Sequence, residues 1–256
     1  MIPDRVRQIV DEYESLVDEH APDLVESLYM TGSVALAGWR EGHSDIDFVA
    51  VAAREPDAED LSALGEIHSQ IPEDVRFEGF YLSPAQLVRP RSGTAVAVSG
   101  NEVETVDGED VPLALWAELA AKAVVVSGRA PGEYGLTEFP EGWDRWLREN
   151  LDGYWKRLAV EGLAKLEGRA DSDPLPAVTA YHYASGSQRL YYTLRHRDFL
   201  SKQQALRYAL QKFPQHEAVL EKAWRHGEDE PQSFTVADGK AACRLILDVV
   251  RDAERL

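Results

Sequence analysis

The 256-residue chain is long enough for one large domain or two modest ones, and at 44% hydrophobic residues it can bury a core. Its one cysteine, Cys243, excludes an intramolecular disulfide and a cysteine-built metal site. A net charge of −18, from 27 basic and 45 acidic residues, argues against nucleic acid as a partner, because that affinity rests on Lys and Arg neutralising phosphate; an acidic field suits a cationic small molecule and equally serves solubility.

No apolar run reaches the ~18 residues of a membrane span, and residues 1–5 show no basic segment leading into an apolar one. A cytoplasmic monomer without membrane or nucleic-acid contacts is expected. Residues 4–20 read as an amphipathic helix striped by Val6, Ile9, Val10, Tyr13, Leu16 and Val17, with Pro22 past its end. Residues 24–31 read as a strand running into Gly32-Ser33, and residues 34–40 as a short helix whose N-terminus points at a ligand's phosphates. After a turn over residues 41–44 a second strand, residues 45–53, opens Asp-Ile-Asp.

Strand side chains alternate faces, so Asp45 and Asp47 share one face about 7 Å apart while Ile46 and Phe48 pack behind. Two such carboxylates can converge on Mg²⁺, which accepts one or two of them and leaves its other positions to phosphate and water. Gly32 allows close approach of backbone to phosphate, and Ser33 adds N–H and hydroxyl donors. The combination reads as a site for Mg²⁺ and a nucleoside triphosphate, whereas Asp-x-Asp alone would read as a solvated hairpin edge.

Residues 57–69 read as a helix with Leu61, Leu64 and Ile67 inward, and residues 75–82 as a strand with one acid, Glu78. A charge there is costly without a partner. It either pairs with Arg76 or joins Asp45 and Asp47 as a third carboxylate, ligating metal or accepting a proton from an attacking hydroxyl. Residues 88–110 read as a long loop or irregular hairpin, residues 112–122 as a helix carrying Trp116, and residues 132–140 as a linker. Beyond it strand signals vanish. Helices are expected over residues 141–166, 177–195, 201–212 (opened by a Ser201/Gln204 capping box), 215–225 and 240–253. An acidic loop over residues 168–176 holds Asp171 and Asp173, candidates for attracting a cationic acceptor, or merely solvated.

Gly32-Ser33, eleven intervening residues, then Asp45-Ile46-Asp47 resembles the signature of the DNA polymerase β-like nucleotidyltransferases. The helical half, with Tyr181-His182-Tyr183, Gln188-Arg189-Leu190-Tyr191-Tyr192 and Leu200-Ser201-Lys202, is similar to the aminoglycoside adenylyltransferases that modify streptomycin and spectinomycin. The resemblance implies an α+β chain: a nucleotidyltransferase core of mixed β-sheet with flanking helices over residues 1–136, then an all-α bundle over residues 137–256. It implies Mg²⁺ on Asp45 and Asp47, triphosphate on Gly32 and Ser33, Glu78 as catalytic base and further metal ligand, Arg189 and Lys202 reaching ATP, and His182 contacting the acceptor. Two features depart from the family. Thr179 stands where an acidic residue can precede His182, and no aromatic residue after Glu78 matches the one that stacks on streptomycin.

The expected activity is transfer of AMP from ATP to a hydroxyl of an aminoglycoside-like small molecule, with release of pyrophosphate. The alternatives are a nucleotidyltransferase acting on a partner protein or another acceptor, and a nucleotide-binding protein that has lost catalysis.

Overall fold

The apolar stripe of helix α1 (Asp4–His20) is buried at Val6, Ile9, Val10, Tyr13 and Val17, within a core it shares with one face of a six-stranded sheet. The structure, a computed structural model describing residues 1–72, 74–228 and 230–256, divides into two units, Met1–Trp143 and Asp144–Leu256.

In the first unit, β1 (Val25–Met30), α2 (Gly32–Ala35), β2 (Ile46–Ala52), α3 (Ala58–Ser69), β3 (Phe77–Leu82), α4 (Pro84–Val88), β4 (Thr94–Ser99), β5 (Glu102–Asp107), α5 (Leu113–Lys122) and β6 (Val124–Ser127) follow α1 in order. The sheet order is β5-β4-β3-β2-β1-β6. Only β2 and β3 run parallel, joined through α3; the other pairs are antiparallel. The sheet is therefore mixed, as expected.

Behind the candidate face, Phe48 and Phe77 stack with ring centroids 4.5 Å apart. Burying each ring contributes about 1.5–3 kcal/mol, and a stacked pair adds about 0.5–1.5 kcal/mol. Gly79 sits opposite Phe48 in the ladder; a Cβ there would lie 2.1 Å from the Phe48 carbonyl oxygen and 2.8 Å from its ring, so only glycine fits. Tyr13, Tyr81 and His68 form a buried hydrogen-bond chain, with both links 2.8 Å. Burial pushes the His68 imidazole down to about 4, so it is neutral in the folded protein.

Three local expectations change. The helix after Ser33 covers residues 32–35 rather than 34–40, because Leu36 closes it and Ala37 takes φ +52°, a conformation that cannot continue a right-handed helix. Of the loop and the irregular hairpin expected over residues 88–110, the hairpin is present, and it is regular over residues 94–107. Gly100 and Asn101 both have positive φ and turn β4 into β5 with Ser99 opposite Glu102, the two-residue turn whose twist suits a hairpin. The expected linker is largely tied to the first unit: Tyr134 hydrogen-bonds Ser27 at 2.8 Å, and Leu136 is buried. The division at Trp143 thus falls after the expected junction at residue 136.

The second unit is helical around α12. From the end of the first unit, α6 (Trp143–Asn150), a π-helical turn (Leu151–Trp155) and α7 (Lys156–Leu166) form one helical run. Then come β7 (Pro174–Leu175), α8 (Ala177–Ser185), α9 (Ser187–His196), α10 (Lys202–Lys212), α11 (Glu217–Gly227), β8 (Phe234–Thr235) and α12 (Val236–Ala253). Nine residues of α12 are buried, Cys243 among them, which makes it the centre of the bundle.

The single helix expected over residues 177–195 is broken at Gly186, where a Cβ would stand 1.8 Å from the Trp155 ring. The last helix starts at Val236 rather than 240, because Thr235 and Asp238 form a capping box. The β7–β8 pair is a short antiparallel ladder where no strand was expected. No helix among the described residues is long and apolar enough to cross a membrane.

Candidate active site

The parallel pairing of β2 with β3 sets Asp47 directly opposite Glu78. Neighbouring strands lie about 4.8 Å apart and paired residues share a face, so the two carboxylates belong to one surface of the sheet. Both are half-buried. Asp45 precedes β2 by one residue; its backbone carbonyl accepts from Ser33 Oγ at 3.3 Å. Thr31 N–H donates to the Asp47 carbonyl at 2.9 Å, which brings the turn after β1 onto the acidic end of β2.

Gly32 closes this arrangement. It has φ +54°, and a Cβ on it would lie 1.9 Å from Asp47 Oδ2. Its missing side chain thus makes room for the Asp47 carboxylate as well as for a ligand. The structure places Gly32 against Asp47 and Asp47 opposite Glu78, with Ser33 bonded to the Asp45 carbonyl beside them.

Two neighbours were not foreseen. Arg76, weighed as the partner of Glu78, instead forms an ion pair with Asp45 Oδ1, one without aligned hydrogen-bond geometry. Glu118, from the middle of α5, accepts a hydrogen bond from the Gly32 backbone N–H through Oε1. It comes from 86 residues further along the chain and carries no local motif. The only signal for it was a lone acid on a helix otherwise rich in Leu and Ala.

The donor set suits a hard cation, since Asp45, Asp47 and Glu78 offer only carboxylate oxygens. Among the described residues, however, no group of three His, Cys, Asp or Glu side chains is gathered as a metal cage. Asp45 is engaged by Arg76, so a cation would take Asp45 in exchange for the guanidinium.

In the helical unit, His182 lies in α8 and Lys202 at the first position of α10, where Ser201 caps the helix. Lys202 stands 6.0 Å from the Tyr181 ring centroid. His182 packs 5.1 Å from Trp155 and 3.4 Å from the Tyr154 hydroxyl. Although part of its ring is exposed, the shielding by its neighbours, and then the Lys202 charge, hold its pKa below the ordinary imidazole value. Arg189 donates from Nε to the Leu200 carbonyl at 3.1 Å and so braces the turn that leads into Lys202. These three residues form a second cluster. Asp171 stays largely exposed, as a solvated loop residue would be, and pairs with Lys240 at 2.8 Å. Trp116 is fully buried, with Nε1 donating to the Gln86 carbonyl at 2.8 Å; it is a core residue.

No protein-family model matches this chain, and no curated protein matches it in sequence. Among solved structures it is similar to the spectinomycin adenyltransferase AAD(9) from Enterococcus faecialis, solved with ATP and spectinomycin. The two are 12% identical with a TM-score of 0.67, over 96% of this chain and 99% of that one. At that identity the likeness establishes the architecture: this chain has the α+β fold of that adenyltransferase.

Proposed function

We propose that this protein transfers AMP from ATP to a hydroxyl of a cationic, aminoglycoside-like small molecule and releases pyrophosphate. The observation that carries the reading is the in-register pairing of Asp47 with Glu78, beside a glycine turn that leaves room for the Asp47 carboxylate. The fold shared with an adenyltransferase solved with ATP and spectinomycin supports it, as does the net charge of −18.

In this reading Asp45 and Asp47, with Glu78 beside them, would hold Mg²⁺, which when bound offsets charge on the attacking and leaving oxygens. Gly32 and Ser33 donate to the triphosphate. Glu78 takes the proton from the acceptor hydroxyl as its oxygen bonds to the α-phosphorus and the bond to pyrophosphate breaks. In the helical unit, Arg189 and Lys202 supply cationic groups suited to nucleotide phosphate, and His182, beside the Tyr154 hydroxyl, is assigned to the acceptor.

The test is a panel of aminoglycosides, spectinomycin and streptomycin included, incubated with the protein, ATP and Mg²⁺. Pyrophosphate release and a mass gain of one AMP on the acceptor are expected. Absence of both across the panel, with ATP bound, would point to another acceptor; absence of ATP binding would overturn the reading.

A further inference from the structure

We infer that Glu118 is a built-in competitor for the nucleotide: its carboxylate occupies the Gly32 N–H that the triphosphate needs and must leave before triphosphate binds. The inference rests on the adenylyl-transfer reading and adds a residue that controls access to its site.

Gly32 N–H is a donor of the turn assigned to phosphate, and the structure already places an anion on it, Glu118 Oε1. A carboxylate on a backbone amide makes the charge-assisted hydrogen bond that a phosphate oxygen would make there. The two anions cannot share one N–H. Glu118 is also well held. It lies in α5, two residues after Trp116, whose ring is fully buried and whose indole N–H is bonded to the Gln86 carbonyl. The carboxylate is thus presented by an anchored helix, and displacing it requires a side-chain swing away from a fixed backbone.

The contact also adds negative charge beside Asp47, whose Oδ2 crowds the same glycine. An incoming anion meets both carboxylates. A triphosphate with several charged oxygens can outcompete one carboxylate, whereas inorganic phosphate or a nucleoside monophosphate brings fewer contacts. Glu118 would therefore favour triphosphates over shorter anions.

The test uses the full chain as wild type, Glu118→Gln and Glu118→Ala, with inorganic tripolyphosphate and ATP as probes, each with and without Mg²⁺. The first readout is the Gly32 amide resonance. In the ligand-free wild type it should be shifted downfield by the carboxylate, move upfield in Glu118→Ala, and change on adding tripolyphosphate. The second is affinity by calorimetry. Removing a competing hydrogen bond to a charged group should tighten tripolyphosphate and ATP by about tenfold in Glu118→Ala. Glu118→Gln should fall in between, because its amide oxygen still accepts but carries no charge.

A Gly32 amide that does not move in Glu118→Ala would overturn the contact. Equal affinities in all three proteins would overturn the competition while leaving the adenylyl-transfer reading intact. Weaker binding in Glu118→Ala would make Glu118 a support for the turn rather than a competitor. If none of the three binds tripolyphosphate or ATP, the adenylyl-transfer reading fails and the competitor fails with it.

Discussion

Asp47 and Glu78 face each other because two strands pair residue by residue, whereas His182, Arg189 and Lys202 are gathered by side chains that interlock between helices. The first arrangement is set by backbone hydrogen bonds. A point mutation can change its chemistry and leave its geometry in place. The second depends on Trp155 filling the space above Gly186, so its geometry can fail without any charged group being touched. One cluster should therefore respond to chemical substitutions and the other to steric ones.

The sharpest test of that contrast is Asp47→Asn. Transfer should fall by more than about 10⁴-fold, beyond what one proton-transferring group contributes, while the thermal melt stays near that of the wild type. A large drop in melting temperature would show that the carboxylate holds the fold. Glu78→Gln should lower the rate of transfer by about 10²–10⁴-fold and leave ATP affinity unchanged; a collapse of ATP affinity instead would make Glu78 chiefly a metal ligand.

The next effect concerns stability in the α/β unit. Burial lowers the His68 pKa to about 4, against an ordinary value of 6.5. Between these two values the unfolded chain binds a proton that the folded chain refuses. The His68 contribution is therefore complete above about pH 6.5 and is lost as pH falls toward 4, at up to about 1.4 kcal/mol per unit. Urea melts at pH 7 and pH 5 should show this loss in the wild type and a smaller one in His68→Phe. Parallel slopes in the two proteins would mean that other groups carry the pH dependence.

In the bundle, Gly186→Ala should destabilise by about 1–3 kcal/mol through collision with the Trp155 ring. It should also weaken acceptor binding although no polar group changes; an unaltered acceptor affinity at full occupancy of the fold would separate Trp155 from the His182 cluster. The smallest effect is expected from Lys202→Met, a loss of ATP affinity of about tenfold with little change in stability. No change in ATP affinity would remove Lys202 from the nucleotide site.

The contrast also explains what could be read from the chain alone. Alternation along Asp45-Ile46-Asp47-Phe48 put the acids on one face and the core on the other, and Phe48 is indeed fully buried. Capping gave the start of α10 at Ser201, because that signal lies within four residues. Glu118 was out of reach: its partner is a backbone N–H with no side chain to betray the match. Arg76 was weighed only as a partner for its near neighbour Glu78, because nothing local linked it to Asp45, which precedes it by a whole helix and strand. The β4–β5 hairpin was legible only as an alternative to a loop, because small residues mask the regular strands Thr94–Ser99 and Glu102–Asp107 that flank Gly100-Asn101. Gly186 gave no warning of the close packing there, since the indole ring that a Cβ would strike lies over thirty positions earlier in the chain.

The π-helical turn at Leu151–Trp155 has a consequence for the phase of the long helix it interrupts. Trp143, Leu147, Leu151, Trp155 and Ala159 are all buried and recur every fourth residue. In an ideal α-helix each four-residue step overshoots a full turn by about 40°, so five such positions would wander roughly halfway around the cylinder. The wide turn accommodates one extra residue without the rotation that an α-helical residue would add, and so keeps the row on one side. Insertions and deletions in this helix are consequently not equivalent. Removing one residue at this turn, Gly153 for example, would restore regular winding and leave Ala159 and Leu166 in phase with Trp143 and Leu147, whereas adding a residue elsewhere in the helix would rotate everything after it by about 100°. The helix can therefore shed one residue at this turn and keep its buried row aligned, but it cannot take one up elsewhere without turning that row away.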